Sequence, residues 1–414
     1  TIGSCLLEAG RQLEAAGVEG ALKSLSCPDL APLERARELV ALLEESKSYL
    51  FIDDLHLLER NFLGQFINHS LVDLQDARLV MISREPLGEV GTPGERLGSI
   101  ALEGLSCLDP SSLPLGEGMA SDLAKSFSKT LGGKPLALLL ATLLIESASM
   151  DLDEMSSRLR RSYDEDEDFE AESWLLERLA QSLEENELVL LEKLSVYRTP
   201  VPIEALVEGR GSALAKKRML SLVSRGLALT RGNYFDMHPL LRDLLRLRLG
   251  ESVQDFHRSC HRYLRSRAPE EDAWIDRTLL LKEAFHHAYE ADDSQAALDA
   301  LIAAAKAMER LGLAHELLDM IDKSIAAGFS LTLDVYLQRT RLLRRVGRLL
   351  AAEEELKRLE ELSPPSRLKA EICWQRGQLL QDKNSYEKAL KQYYKALESA
   401  RLSEDRAASA RILN

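Results

Sequence analysis

Aromatic side chains supply only 5% of the 414 residues, which disfavours a sheet-dominated core, where Tyr, Phe and Trp are enriched. Leu, Ala, Glu and Arg dominate instead, a balance that favours helix. The five cysteines, Cys5, Cys27, Cys107, Cys260 and Cys373, stand far apart and form no C-x-x-C pair. That spacing suggests neither a disulfide framework nor a zinc site, and makes a reducing cytoplasm the expected compartment. The longest apolar run, Leu136 to Ile145, is too short to span a bilayer. No signal peptide is visible, and the chain opens on Thr1 rather than Met, which leaves room for a segment removed upstream. Positive charge is scarce as well. A formal net charge of −14 argues against nucleic acid as the main partner, because affinity for a phosphate backbone comes from basic patches. The local cluster Arg242, Arg246 and Arg248 reads as a solvated helix face. Finally, no G-x-x-x-x-G-K-[ST] phosphate loop occurs. The nearest lookalike, Gly132-Gly133-Lys134-Pro135, has the wrong spacing and a proline where the hydroxyl belongs.

What is present starts with Tyr49-Leu-Phe-Ile-Asp-Asp-Leu-His56. Four apolar residues ending in Asp53 and Asp54 read as a buried parallel strand that delivers carboxylates to the carboxyl end of a sheet, where open α/β sheets bind ligands. Two helices and a loop are expected before it, over 1–48. A second apolar strand, Arg78 to Ile82, ends in Ser83-Arg84, and Ser99 to Leu102 is a third candidate. Strand–helix–strand alternation implies a parallel sheet with crossover helices. Residues 107–183 lose that pattern and read as helices, with an acidic solvated segment from Asp164 to Glu172.

Residues 184–250 carry a separate pattern. A helix near 185–197 precedes short helices near 203–208 and 213–225. The runs Leu227–Thr230 and Tyr234–Met237 then flank an Arg231-Gly232-Asn233 turn, a hairpin signal. Three helices and a hairpin make a winged helix. From 251 onward the expectation is helix throughout. Thr340, Gly347, Ala352 and Leu356 recur 37 residues later as Gly377, Asn384, Ala389 and Tyr393. Gly347 and Asn384 suit left-handed turns between helices, and Leu356, Leu359, Tyr393 and Leu397 are expected to be buried between helix pairs. Trp374-Gln-Arg-Gly-Gln-Leu-Leu with Ser385-Tyr-Glu-Lys-Ala-Leu closely resembles the tetratricopeptide repeat. Residues 407–414 look like the first helix of a further repeat, cut short.

In this order and spacing the motifs resemble the signal transduction NTPases with numerous domains (STAND), and within them the LuxR-like maltose-regulon activators. Leu50 to His56 resembles the Walker B segment and Leu79 to Arg84 the strand with a phosphate-sensing arginine. Gly132 to Leu138 resembles the Gly-x-Pro segment of a helical lid. Phe235 to Arg242 resembles the winged-helix motif with a diphosphate-binding histidine, and Glu283 to Asp293 the start of the helical sensor region. The fold class so implied is multidomain and mainly α. It comprises a partial parallel α/β, P-loop NTPase-like domain (1–106), a helical lid (107–183), a winged helix (184–250) and an α-superhelix of TPR-like repeats (251–414).

The resemblance implies ATP or ADP and magnesium as cofactors, with a slow regulatory ATPase only where a Walker A loop is supplied upstream of this chain; both ends of the parent are expected to be missing. Asp53 would hold magnesium through water and Asp54 orient the attacking water. Arg84, Gly133, Pro135 and His238 would contact nucleotide. Each has a plain structural alternative: a solvated strand end for the aspartates, an ion pair for Arg84, a helix-starting proline for Pro135, and a cap at the hairpin–helix junction for His238. His286 and His287 read as ordinary helix packing and surface. The implied partners are a protein or small-molecule inducer on the repeats and further copies of the chain on activation. Neither a membrane nor direct DNA contact is implied. The rival reading is a TPR-like interaction scaffold with a degenerate, nucleotide-free domain.

Overall fold

A computed structural model describes residues 2–53, 55, 58, 60–83, 100, 131, 134–146, 152–165, 171–207, 212–271, 273–362, 364–403 and 405–413. Its elements run α1 (Ile2–Ala15), α2 (Ala21–Leu25), α3 (Pro32–Ser46), β1 (Tyr49–Ile52), α4 (Arg60–Asp73) and β2 (Arg78–Met81). Then come α5 (Pro135–Glu146), α6 (Leu152–Glu165), α7 (Ala171–Ser182), α8 (Glu185–Val196), β3 (Val201–Pro202), α9 (Ser212–Ser224), β4 (Leu229–Arg231), β5 (Tyr234–Asp236) and α10 (Pro239–Leu249). The remainder is helical: α11 (Val253–Arg267), α12 (Trp274–Glu290), α13 (Ser294–Arg310), α14 (Ala314–Ala326), α15 (Leu333–Arg345), α16 (Leu349–Glu361), α17 (Ser366–Asp382), α18 (Tyr386–Leu402) and α19 (Arg406–Leu413). No helix among the described residues is long and apolar enough to cross a membrane. Two compact units emerge, one of Thr1–Gly98, Ala268–Phe285 and Ser294–Asn414, the other of Ser99–Arg267 and His286–Asp293.

In the first unit, three helices rather than two precede β1. The five-residue α2 offers only Ala21 and Leu25, one turn apart and both fully buried, too little periodicity to register in sequence. Strands β1 and β2 pair in parallel, Tyr49 opposite Arg78 through Ile52 opposite Met81, with α4 as the crossover between them. Glu44 at the end of α3 sets the entry to β2: its carboxylate accepts the backbone N–H groups of Gln75, Asp76 and Ala77 at 2.9–3.1 Å. Those bonds lower its pKa. Leu50, Ile52 and Leu79 turn onto a core that includes Leu39, Leu43 and Phe66. The other face of the pair leaves Tyr49 and Phe51 exposed at 67% and 65%, although parallel sheets are ordinarily covered on both faces. The expected third strand at 99–102 falls, Ile100 aside, outside the described residues.

The same unit holds the helical hairpins α13–α14, α15–α16 and α17–α18, followed by α19. Their turns are built alike. Gly312, Gly347 and Asn384 adopt φ of 67°, 78° and 57°. In each turn the next residue's N–H closes onto the carbonyl five residues back: Leu313 to Met308 at 3.0 Å, Arg348 to Leu343 and Ser385 to Leu380 at 2.8 Å. This is the Schellman closure of a helix end. Leu356 and Leu359 are buried as expected, but Tyr393 and Leu397 are only half-buried. The ring of Tyr393 leans on Gly377 and its hydroxyl donates to the exposed Gln381 at 2.9 Å, which holds it at the edge of the helix pair.

In the second unit, α5 packs on α7 and α10 on both α7 and α8. The region around α8 to α10 combines helices with a small sheet that has one strand more than the sequence suggests. β3, β5 and β4 form an antiparallel sheet in that order, Val201 opposite Phe235 and Thr230 opposite Phe235. Two residues with a proline give no alternating pattern, which hid β3. The expected short helix at 203–208 is a 3-10 turn over Ile203–Ala205.

Candidate functional site

The carboxyl end of the parallel pair is closed by two backbone bonds. Ile82 donates its N–H to the Ile52 carbonyl at 2.8 Å, and Leu55 donates to the Ile82 carbonyl at 3.0 Å. Leu55 is fully buried, so the chain stays bonded to the end of β2 just past β1. Asp53 lies between the two bonded residues Ile52 and Leu55, exposed to solvent. Its position at the carboxyl end of a parallel strand is the one sheet topology reserves for ligand groups. Asp54 and Arg84 lie outside the described residues, as does Gly133.

The other two candidates belong to the second unit. Pro135 is the first residue of α5, exposed, its helix continuing from a Leu138 N–H to Lys134 carbonyl bond of 3.1 Å. A proline costs nothing at a first helical position, where its missing N–H has no partner to lose. The helix behind it is anchored by Ala137, Leu138, Leu140, Ala141 and Leu144, all at most 2% exposed. His238 is the N-cap of α10: its Nδ1 accepts the Leu240 N–H at 3.3 Å. That bond fixes the neutral ring as the Nε2–H tautomer and leaves Nε2 as a donor on an exposed side chain. Pro135 and His238 thus each open a helix, and α7 packs against both of those helices.

The arginines of α10 are not a solvated face. Arg242 pairs with Asp236 at 2.7 Å, Arg246 donates to the Ser195 and Val196 carbonyls at 2.7 and 2.8 Å, and Arg248 bridges Glu177 at 3.1 Å and also Glu192. They tie α10 to α7 and to the end of α8. Burial lowers the pKa of Arg246. The periodic Arg pattern looked like a surface stripe because the partners of Arg246 and Arg248 lie about 50 to 70 residues away and leave no local signature.

Sequence reading also missed a buried histidine pair. Nδ1 of His257 and Nδ1 of His287 lie 2.9 Å apart, and His287 is fully buried, in helix packing as expected but with a partner that was not. Burial, with Arg246 and Arg198 nearby, lowers His257 to about 4. Burial and the neighbouring histidines push His287 well below the usual histidine range. Both rings are therefore neutral at pH 7, and one Nδ1–H donates to the other Nδ1. Nε2 of His287 has no hydrogen-bond partner. A proton on His287 Nδ1 strands only an acceptor there, which is less costly than burying an unpaired N–H. Tyr197 packs edge-on against His287 at 5.4 Å and donates its hydroxyl to the Ala205 carbonyl at 3.1 Å.

No protein-family model matches the chain, and no curated protein matches it. Among solved structures it is similar to a signal transduction ATPase with numerous domains (STAND) with a tetratricopeptide repeat sensor, from Pyrococcus horikoshii. The TM-score is 0.63 at 16% sequence identity, over 99% of this chain and 58% of that one. The chain therefore spans little more than half the length of that protein. The likeness is one of fold: mainly helical, with a small sheet and TPR-like helical repeats.

Proposed function

We propose that the chain is the core of a STAND-type regulatory switch of the kind found in LuxR-like maltose-regulon activators. The observation that supports this reading is the parallel pair β1–β2 with Asp53 at its carboxyl end, in a chain whose fold follows a STAND protein along nearly all of its length. In this reading the helical repeats sense a protein or small-molecule inducer. A nucleotide, ADP or ATP with magnesium, biases a bistable arrangement of sheet domain, helical lid and winged helix. Exchange of ADP for ATP drives self-oligomerisation. The expected setting is cytoplasmic, and DNA contact is left to a separate module.

Each unit offers exposed groups of the kind that nucleotide binding uses. Asp53 offers an exposed carboxylate for a hydrated magnesium ion, Pro135 an exposed ring, and His238 an Nε2 donor for a diphosphate. Nothing in the sequence supplies the cradle of backbone amides and lysine that holds phosphates. We therefore assign nucleotide binding to a longer polypeptide that joins this chain to a phosphate loop, and no catalytic step to these 414 residues. The test is the nucleotide that copurifies with such a polypeptide and its magnesium-dependent ATP hydrolysis. Bound ADP, and hydrolysis slowed about tenfold or more by Asp53→Asn, support the switch. A polypeptide with no nucleotide and no hydrolysis overturns it and leaves the interaction scaffold.

A further inference from the structure

The helical repeats carry a cleft of about 920 Å³, at the upper end of the range for ligand pockets. Its walls are the first helix of each successive hairpin, α13, α15 and α17, together with α19; Pro28, from the loop between α2 and α3, stands at its edge. The charge in it runs against the chain. Six cations line it, Lys306, Arg310, Arg341, Arg345, Arg367 and Arg411, against four carboxylates, in a protein of net charge −14.

Three of those carboxylates are engaged, and the fourth, Asp334, is exposed. Glu309 accepts from Gln338 at 2.8 Å and faces Arg345 at 3.5 Å and Arg341 at 3.9 Å. Glu371 pairs with Arg411 at 2.7 Å. Asp405 caps α19 through the Ala408 N–H at 2.9 Å. By contrast Lys306, Arg310 and Arg367 are exposed and have no ion-pair or hydrogen-bond partner among the described residues. Nε of Arg341 is buried with no acceptor. The cleft thus holds a surplus of unmatched donors, and apolar side chains line it with them, Ile302, Leu368 and Ile412 among them.

The geometry points to an acidic peptide segment as the occupant of this cleft. The inference rests on the reading of the repeats as the sensing part and names the chemistry of what they sense. A single small anion needs donors converging on one point, whereas these cations come from three successive first helices. Apolar lining beside the cations, Leu368 next to Arg367 and Ile412 next to Arg411, matches an extended chain whose carboxylates alternate with apolar side chains. A nucleic acid meets the repulsion of a strongly negative protein and gains nothing from the apolar steps.

The occupant also reaches a contact that joins the repeats to the sheet module. Arg345 donates from Nη2 to the Pro28 carbonyl at 3.0 Å while Nη1 faces Glu309. A carboxylate seated in the cleft competes for that guanidinium and weakens its hold on the loop before α3. Occupancy of the repeats is in this way transmitted to the sheet module.

The experiment uses the whole chain and a fluorescent peptide of about ten residues, roughly 33 Å when extended, in which Glu alternates with Leu and Ser. Anisotropy should show saturable binding that weakens as salt rises. The double variant Arg310→Glu, Arg367→Glu should weaken it about tenfold or more with an unchanged melting temperature. Hydrogen exchange over residues 27–31 should quicken when peptide is bound. Equal binding of a peptide with Gln in place of Glu, or no effect of the charge reversal, would overturn the assignment. Equal affinity for a single-stranded oligonucleotide, or for inorganic phosphate, would overturn the choice of occupant. Unchanged exchange at 27–31 would overturn the coupling. None of these readouts depends on nucleotide, so failure here is distinct from failure of the switch reading.

Discussion

A β-carbon placed on Gly377 would lie 2.4 Å from Cε1 and 2.6 Å from Cδ1 of Tyr393. The two residues stand on facing helices of one hairpin, α17 and α18, and the missing side chain of the first is the space the ring of the second fills. Gly377→Ala should therefore destabilise the chain despite alanine's higher helix propensity. Overpacking costs about 1–3 kcal/mol, and the propensity gain returns at most about 1 kcal/mol. The ring, once pushed aside, also loses its bond to Gln381. Urea unfolding of G377A, Y393A and the double variant checks this. A destabilisation by G377A that persists undiminished in the Tyr393→Ala background would place its cause elsewhere.

Arg35 joins α3 to the repeats from a buried position. It is 2% exposed and donates to the Gly312 carbonyl at 3.0 Å and the Leu25 carbonyl at 3.3 Å. Arg35→Met should cost about 2–4 kcal/mol, because two carbonyls lose their donor in a dry site. Arg35→Lys should recover only part, since an ammonium lacks the planar fork that reaches both. Gly312→Ala should be costly as well: its φ is 67° and a β-carbon would meet Nη1 of Arg35 at 2.7 Å. Denaturant midpoints of the three variants settle the order. A wild-type midpoint for R35M contradicts the account.

The histidine pair makes stability depend on pH in a defined direction. His257 is lowered to about 4 in the folded chain, against about 6.5 when unfolded. Between those values the unfolded chain binds more protons, so stability rises with pH. It is complete above about pH 6.5, falls as the solution is acidified, and loses no more from this group below about 4. His287 acts in the same sense. The contribution of His257 alone is roughly 3 kcal/mol at most. Proton NMR of the two imidazoles checks it. Rings that titrate near 6.5 without loss of folded signal would refute the buried neutral pair.

What the sequence made legible follows from how local each signal was. The strands at 49–52 and 78–81 were readable because the apolar runs Tyr49 to Ile52 and Leu79 to Ile82, each between turn signals, carry their own evidence. The left-handed turns at Gly347 and Asn384 were readable from a 37-residue recurrence. Arg35, the His257–His287 pair and the cationic cleft were not. Arg35 meets Gly312 across 277 residues, His257 meets His287 across 30, and the cleft gathers charge from four separate helices. Nothing at any one of these positions marks it in sequence. Of the nucleotide candidates, Asp53, Pro135 and His238 sit where a strand end, a helix start and a helix cap are expected. Those positions suit the structural role, and all three side chains are exposed.

His238 separates the two roles. In a polypeptide that joins this chain to a phosphate loop, His238→Ala should lower the ADP that copurifies, because a hydrogen bond to a charged phosphate contributes about 1.5–3 kcal/mol. His238→Asn keeps a side-chain acceptor for the Leu240 N–H and should restore the cap without restoring ADP. If ADP content is unchanged in both variants and only the melting temperature of His238→Ala falls, His238 is a cap and nothing more.

In the proposed switch, these 414 residues carry the carboxylate side of a nucleotide site without its phosphate cradle. Titration calorimetry of the chain with ATP and magnesium tests it most directly. The account predicts no saturable heat up to about millimolar ATP, where the binding free energy is only about −4 kcal/mol. Binding at micromolar ATP, abolished by Asp53→Ala, would contradict it.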